Sequence, residues 1–193
     1  MSRPARHRIA AGLLAGLALA GSASALDWRV EGGAGWRSLN EPGIRRTYGT
    51  SVAVPFGFDL ILRSGWEAGL RFEWAPTREG ALGIYASAAR FHLLGLEAAV
   101  SRELRPGVVG LYARAGAGLY HYRQTVDYAY VQDYKVDRFA PGAVIAAGLR
   151  VYPWPFLYLA ADAKYVILGV SPYDVSVDLG GWRLGGSLGF VIK

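Results

Sequence analysis

Beyond its first 25 residues the chain is built on a period of two. From Trp66 it reads Trp66, Ala68, Leu70, Phe72 and Trp74 on one parity, and Glu67, Gly69, Arg71 and Glu73 on the other. Successive side chains of a strand point to opposite sides of a sheet, so strict alternation specifies a strand with unlike faces. Eight segments carry the pattern: 26–37, 50–62, 66–75, 90–102, 108–123, 142–152, 157–168 and 180–192. Most exceed the ~5–6 residues usual for globular strands and match the ~9–11 that a tilted strand needs to cross a bilayer. Helical periodicity is nowhere competitive after residue 25.

The first 25 residues have another design. Arg3, Arg6, His7 and Arg8 are followed by the apolar run Ile9 to Ala20 and by the small residues Ser22-Ala23-Ser24-Ala25. This is the layout of a secretory signal peptide, with cleavage expected before Leu26. Two units follow: a leader, 1–25, and one domain, 26–193. The net charge is +6, and the leader holds Arg3, Arg6 and Arg8 with no acid, so the exported part carries about +3. A nearly balanced exported chain offers no basic stripe, which argues against nucleic acid as a partner. With no cysteine, disulfide-stapled scaffolds, thiol nucleophiles and cysteine metal sites are excluded. Hydrophobic residues make up 52%, yet no run after residue 25 is long enough for a spanning helix.

The connections alternate in length. Arg63-Ser64-Gly65 joins the second and third segments, and a three-residue hairpin loop wants a left-handed glycine in third place, where Gly65 stands. Residues 103–107, with Pro106-Gly107, and Pro153-Trp154-Pro155 make the other short turns. The remaining links, 38–49, 76–89, 124–141 and 169–179, are longer. Short turns at one end and long loops at the other are the asymmetry of outer-membrane barrels. The expected fold is therefore all-β, an eight-stranded antiparallel up-and-down transmembrane barrel with periplasmic turns and extracellular loops.

Size and charge assign the faces. The polar parity collects glycines, among them Gly33, Gly35, Gly57, Gly69, Gly95, Gly116, Gly118, Gly148, Gly185 and Gly189, while the other collects Leu, Val, Phe and Trp. An eight-stranded barrel is only just wide enough to be filled by side chains, so the small-residue face belongs inside. On that face lie Arg29, Arg71, Arg114, Arg150, Lys164 and Arg183, and also Glu31, Asp59, Glu67, Glu73, Glu97 and Asp162. Equal numbers of bases and acids are what a poorly solvated lumen requires, because an unpaired buried charge costs several kcal/mol. If Glu103 pairs with Val108 across the turn, Glu97 falls opposite Arg114. Trp28, Trp36, Trp66, Trp74, Tyr152, Trp154, Phe156 and Trp182 lie at or near segment ends, the expected place of interfacial aromatic girdles.

The stretch Arg105-Pro106-Gly107-Val108-Val109-Gly110-Leu111-Tyr112-Ala113-Arg114-Ala115-Gly116-Ala117-Gly118-Leu119-Tyr120 resembles the fifth strand of small outer-membrane β-barrel proteins of Gram-negative bacteria, the opacity-protein and OmpA/OmpW-like group. The resemblance extends loosely over the exported chain. It implies an outer-membrane location, contact with membrane lipid and lipopolysaccharide, and handling by the barrel-insertion machinery. The chain departs from the group at its end, where Val191-Ile192-Lys193 follow Phe190 in place of a terminal aromatic.

Some barrels of this kind modify lipid A, and an esterase site needs a nucleophile beside a base. After the leader the histidines are His92 and His121, both on the outward parity near the upper rim; neither has a serine two residues away. One allowed register, Arg105 with Val108, places them opposite each other. No catalytic residue, metal ligand or cofactor is expected. The loop 124–137 interleaves Tyr128, Tyr130 and Tyr134 with Asp127, Asp133 and Asp137, offering contacts to an unidentified extracellular ligand or simply extending two strands upward. The function expected is a non-enzymatic structural or surface-interaction role with a charge-plugged lumen. A channel for small hydrophobic molecules and a soluble periplasmic barrel around an apolar ligand are the alternatives.

Overall fold

A computed structural model of the chain describes residues 27–82, 87–105, 107–127, 134–171 and 176–193. The leader expected over 1–25 and the loop tyrosines Tyr128 and Tyr130 lie outside these residues. The strands are β1 (Asp27–Leu39), β2 (Ser51–Ile61), β3 (Trp66–Leu82), β4 (Ser87–Leu104), β5 (Val109–Asp127), β6 (Tyr134–Trp154), β7 (Leu157–Ile167), β8 (Gly169–Val170), β9 (Val177–Asp178) and β10 (Gly181–Ile192). Eight of them close into an antiparallel barrel in the order β1-β10-β7-β6-β5-β4-β3-β2, and β8 and β9 form a separate small hairpin. Closure is made by β1 and β10, paired from Trp28–Ile192 to Leu39–Gly181. No helix among the described residues is long and apolar enough to cross a membrane.

The two parities take the two faces of the barrel wall. Leu70, Phe72 and Trp74 of β3, Phe56 and Phe58 of β2, Leu96 and Val100 of β4, and Leu184, Leu188 and Phe190 of β10 are all exposed on the outer side. The soluble-barrel alternative needs this parity inside; here it faces out as a continuous apolar band, the surface hydrocarbon accepts and water does not.

Several local expectations are corrected. Register in the β4–β5 hairpin is set by a longer turn, with Leu104 opposite Leu111; Glu97 therefore faces Gly118 and Arg114 faces Ser101. For the same reason His92 stands opposite Arg123, and His121 opposite Leu94. At the β2–β3 turn the Leu62 N–H donates to the Trp66 carbonyl at 2.7 Å. Ser64 (φ 62°) shares the left-handed region with Gly65 (φ 75°), and a side chain at Gly65 would strike the Glu103 carbonyl.

The long link 38–49 holds a helix, α1 (Pro42–Tyr48), which the sequence pattern did not predict. Two turns are too short to show a period, and Pro42 at the start supplies the pre-set φ. Strands β3 to β6 run past the apolar band, and inward residues of β4 to β6 build a second core above it. Phe91, Leu93, Tyr122, Val126, Val136 and Val144 are buried there with Leu168, Val170 and Leu179, and Ile44 and Tyr48 of α1 pack against them from the mouth. Tyr48 meets Phe91 with ring centroids 5.5 Å apart and accepts a hydrogen bond from Gln124 Nε2 at 3.1 Å; burial raises its hydroxyl pKa.

Leu70 lies midway along the apolar stretch of β3. In vesicles Leu70→Arg is expected to lower unfolding stability by about 2–4 kcal/mol, whereas Ala88→Arg, above the band, costs no more than about 1 kcal/mol. Equal small effects in a urea titration would remove the hydrocarbon from the outer face.

Candidate functional site: the charged lumen

Inward positions follow a packing rule visible in the register. A large side chain on one strand usually faces a glycine on the next: Arg71 opposite Gly57 and Asp59 opposite Gly69, Tyr120 opposite Gly95, Tyr158 opposite Gly189, and Tyr112 opposite Gly148. A Cβ at Gly57 would overlap the Arg71 guanidinium, and one at Gly95 would lie 2.8 Å from the Tyr120 ring. The lumen glycines are space for charged and phenolic neighbours, which an eight-stranded interior otherwise lacks.

The charged side chains settle in three tiers. Nearest the short turns, Arg29 and Arg150 face Glu67 and Glu103. Arg29 pairs with Glu67 and, at 3.0 Å, with Glu103; Arg150 lies 2.9 Å from Glu67 and 2.5 Å from Glu103. Tyr152 accepts from Arg29 at 2.8 Å and donates to Glu103 at 2.6 Å, while Ser101 donates to Glu67 at 2.9 Å. Arg105 stacks over the Tyr152 ring at 3.7 Å and covers this end.

In the middle tier Arg71 pairs with Asp59 and, at 2.6 Å, with Glu31; Arg114 stands 3.8 Å from Glu31. Tyr158 donates to Glu31 at 2.7 Å. In the upper tier Glu73 of β3 reaches across the lumen to three cations at once. It pairs with Lys164, with Arg37 at 3.1 Å and with Arg183 at 3.3 Å. Those cations are cross-strand neighbours, Arg37 opposite Arg183 and Arg183 opposite Lys164, so without the carboxylate three like charges would adjoin. Glu97 accepts from Lys164 at 2.8 Å and from Tyr120 at 2.7 Å. Asp162 takes Arg183 at 2.7 Å.

All twelve charged residues singled out from the sequence point inward, and all except the slightly more open Asp162 are buried. Two further members were missed. Arg37 ends its segment, and Glu103 was assigned to a turn that begins later; both are buried. Glu103 supplies the missing carboxylate of the lowest tier and Arg37 the missing cation of the upper one, so each tier is neutral: two cations and two carboxylates below, two and two in the middle, three and three above.

Of the aromatics expected at strand ends, Trp28, Trp36, Trp66, Trp74, Trp154, Phe156 and Trp182 are exposed on the outer wall. Tyr152 is not among them. It shares parity with Arg150, is 2% exposed and belongs to the lowest tier. Of Tyr134 the backbone is described, opposite Val126 at the start of β6. Among the described residues no cluster of three or more His, Cys, Asp or Glu could hold a metal ion.

A closed eight-stranded antiparallel barrel, apolar outside and charged inside, is the fold of the small bacterial outer-membrane β-barrels. Solved structures of this kind superpose on most of the chain. The outer-membrane protein OprG of Pseudomonas aeruginosa matches with a TM-score of 0.63 at 11% identity, over 87% of this chain and 96% of its own. A major outer-membrane protein of Thermus thermophilus gives 0.59 at 12% identity, over 88% and 100%. The attachment invasion locus protein Ail of Yersinia pestis, solved with the heparin analogue sucrose octasulfate, gives 0.55 at 21% identity, over 86% and 99%. At such identities the likeness is one of fold. No protein-family model and no curated protein matches the chain.

Glu73→Gln keeps the shape of the side chain and removes its charge. It is expected to destabilise the folded barrel by about 3–5 kcal/mol, the cost of leaving buried partners uncompensated. Glu41→Gln, at the foot of α1, is the control and should shift the urea midpoint little. Comparable shifts for the two would deny Glu73 its bridging role.

Proposed function

We propose that the protein is an integral outer-membrane barrel, exported by its N-terminal leader, seated in lipid and lipopolysaccharide by its apolar wall and aromatic ends, and inserted by the barrel-insertion machinery. Its role in this reading is non-enzymatic, structural or surface-interacting, with a lumen closed to ions. What supports the reading is a stack of two buried layers. Three neutral tiers of paired charge lie inside the apolar wall, and an apolar core packed against α1 lies above them. Freely conducting porins have about 16–18 strands, and eight strands leave no comparable bore.

One observation favours a second reading, a channel for small hydrophobic molecules: the upper lumen is apolar, lined by residues such as Phe91, Leu93 and Val166. A molecule taking that route would have to displace α1 and then leave before the charged tiers.

Two measurements decide. The extracted protein should run as a compact band that shifts on boiling, because every barrel strand edge is paired. Reconstituted in a planar bilayer it should insulate. Steady single-channel steps would overturn the closed-lumen reading, and protein-dependent uptake of an apolar solute without ion current would favour the second.

A further inference from the structure

Directly above the apolar wall, on the outer surface of β3, β4 and β5, lies a mainly polar cleft of about 460 Å³ lined by Thr77, Arg90, His92, His121, Arg123 and Thr125, with Phe91 as its apolar member. Thr77 reaches it because the β3–β4 register shifts between Ala75 and Arg78. Its lower edge is apolar: Leu94 and Phe139 flank His121 on neighbouring strands, and the His121 and Phe139 rings lie 4.7 Å apart. The exposed Trp74 stands opposite Leu94 at this level, and exposed tryptophans mark where hydrocarbon gives way to headgroups. The His92 and His121 rings face edge-on at 6.5 Å. Guanidinium, imidazole and hydroxyl groups line the cleft; the carboxylates stand at its margins. Asp127 takes Arg90 at 3.1 Å, and Asp137 takes His121 at 2.6 Å and Arg123 at 3.9 Å. Glu79 faces Arg90, and Lys135 faces Thr125. Both arginine side chains nevertheless remain more than half exposed, 56% and 52%.

We propose that this cleft binds a phosphate group of an acylated glycolipid of the outer leaflet, with Arg90 and Arg123 as the charged donors and His92, His121, Thr77 and Thr125 completing the pocket. The inference rests on the outer-membrane reading. The ligand is a lipid headgroup and not a free anion because the cleft opens sideways, above the wall on which acyl chains lie. Guanidinium pairs are the strong recognisers of phosphate, and two of them beside hydroxyls and imidazoles give several N–H and O–H donors converging on one site.

The test uses the full barrel in nanodiscs that contain either diphosphoryl lipid A or the same lipid with its phosphates removed, with retained lipid counted by native mass spectrometry. The phosphorylated lipid should be retained about tenfold better, and Arg90→Ala/Arg123→Ala should abolish the difference. Arg90→Lys/Arg123→Lys should keep part of it, which separates lost recognition from lost structure. The boiled and unboiled bands of each variant report whether the barrel is intact. Equal retention of the two lipids by an intact barrel overturns the site. So does inorganic phosphate at millimolar concentration competing as well as the lipid, since that would make the ligand a free anion. Protein that never shows the heat-dependent band fails earlier, and takes down the outer-membrane reading together with the cleft.

Discussion

Closure of the sheet by β1 and β10 is the constraint from which the remaining features follow. A closed barrel leaves no edge on which backbone groups go unpaired, and that is the condition for strands to lie in hydrocarbon. Closure at eight strands also fixes the bore, so every inward side chain must fit a narrow space already shared with the side chains of neighbouring strands. The alternation of glycine with arginine, glutamate or tyrosine across neighbouring strands is the solution seen here. Once charges fill the lumen they must balance locally, because ions a tier apart cannot replace a missing contact partner.

The ion pairs couple this filling to closure. Glu67 and Glu73 on β3 hold Arg150 on β6, Lys164 on β7 and Arg183 on β10, over sequence separations of 83, 91 and 110 residues. The Glu73–Arg183 contact joins β3 to the closing strand β10 and forms only when that strand is in place. Arg71–Asp59 and Tyr120–Glu97 lie within neighbouring strands and can form with their hairpins. Dependence on distant pairing slows folding and places part of the stability of the early strands in contacts made by the late ones.

Much of this was legible in the chain, and the omissions have physical causes. Parity gave the eight strands and their two faces, because a period of two is an inherent property of extended backbone, and size and charge said which face lies inside. It failed at segment ends. Arg37 and Glu103 stood where strand gave way to turn in the pattern, although their parity already marked them as inward, and Tyr152 was sent to the rim against the parity it shares with Arg150. Both registers open at the β4–β5 turn missed, by four positions and by two, since alternation says which face a residue takes and nothing about which residue it meets. The apolar core above the membrane was hidden for a related reason. Its residues continue the inward parity, but there the lumen-facing side turns from charged to apolar, and Val126 or Val136 read as ordinary loop hydrophobics until strands of up to 21 residues carry them inside. Helix α1 has only seven residues, too few for a period of 3.6 to appear.

A lumen lined with leucine and valine would fill the same space without any desolvation cost, so stability alone does not account for the charges. Replacing buried ion pairs by apolar residues is often neutral or stabilising. Register does account for them. In a barrel with two apolar faces, sliding a strand by one residue exchanges inside for outside at little cost. Here the same slip would turn Arg29 and Glu31, or Glu67, Arg71 and Glu73, out into hydrocarbon and drive Trp28 and Val30, or Leu70 and Phe72, into a bore that holds glycine. An arginine or lysine at the bilayer midplane costs about 2–4 kcal/mol, carboxylates less, and a strand slip exposes two or three charges together. The paired charges therefore select one pairing of eight strands from the many that an all-apolar alternation would leave nearly equivalent, and they do so because the solvent outside the barrel is lipid.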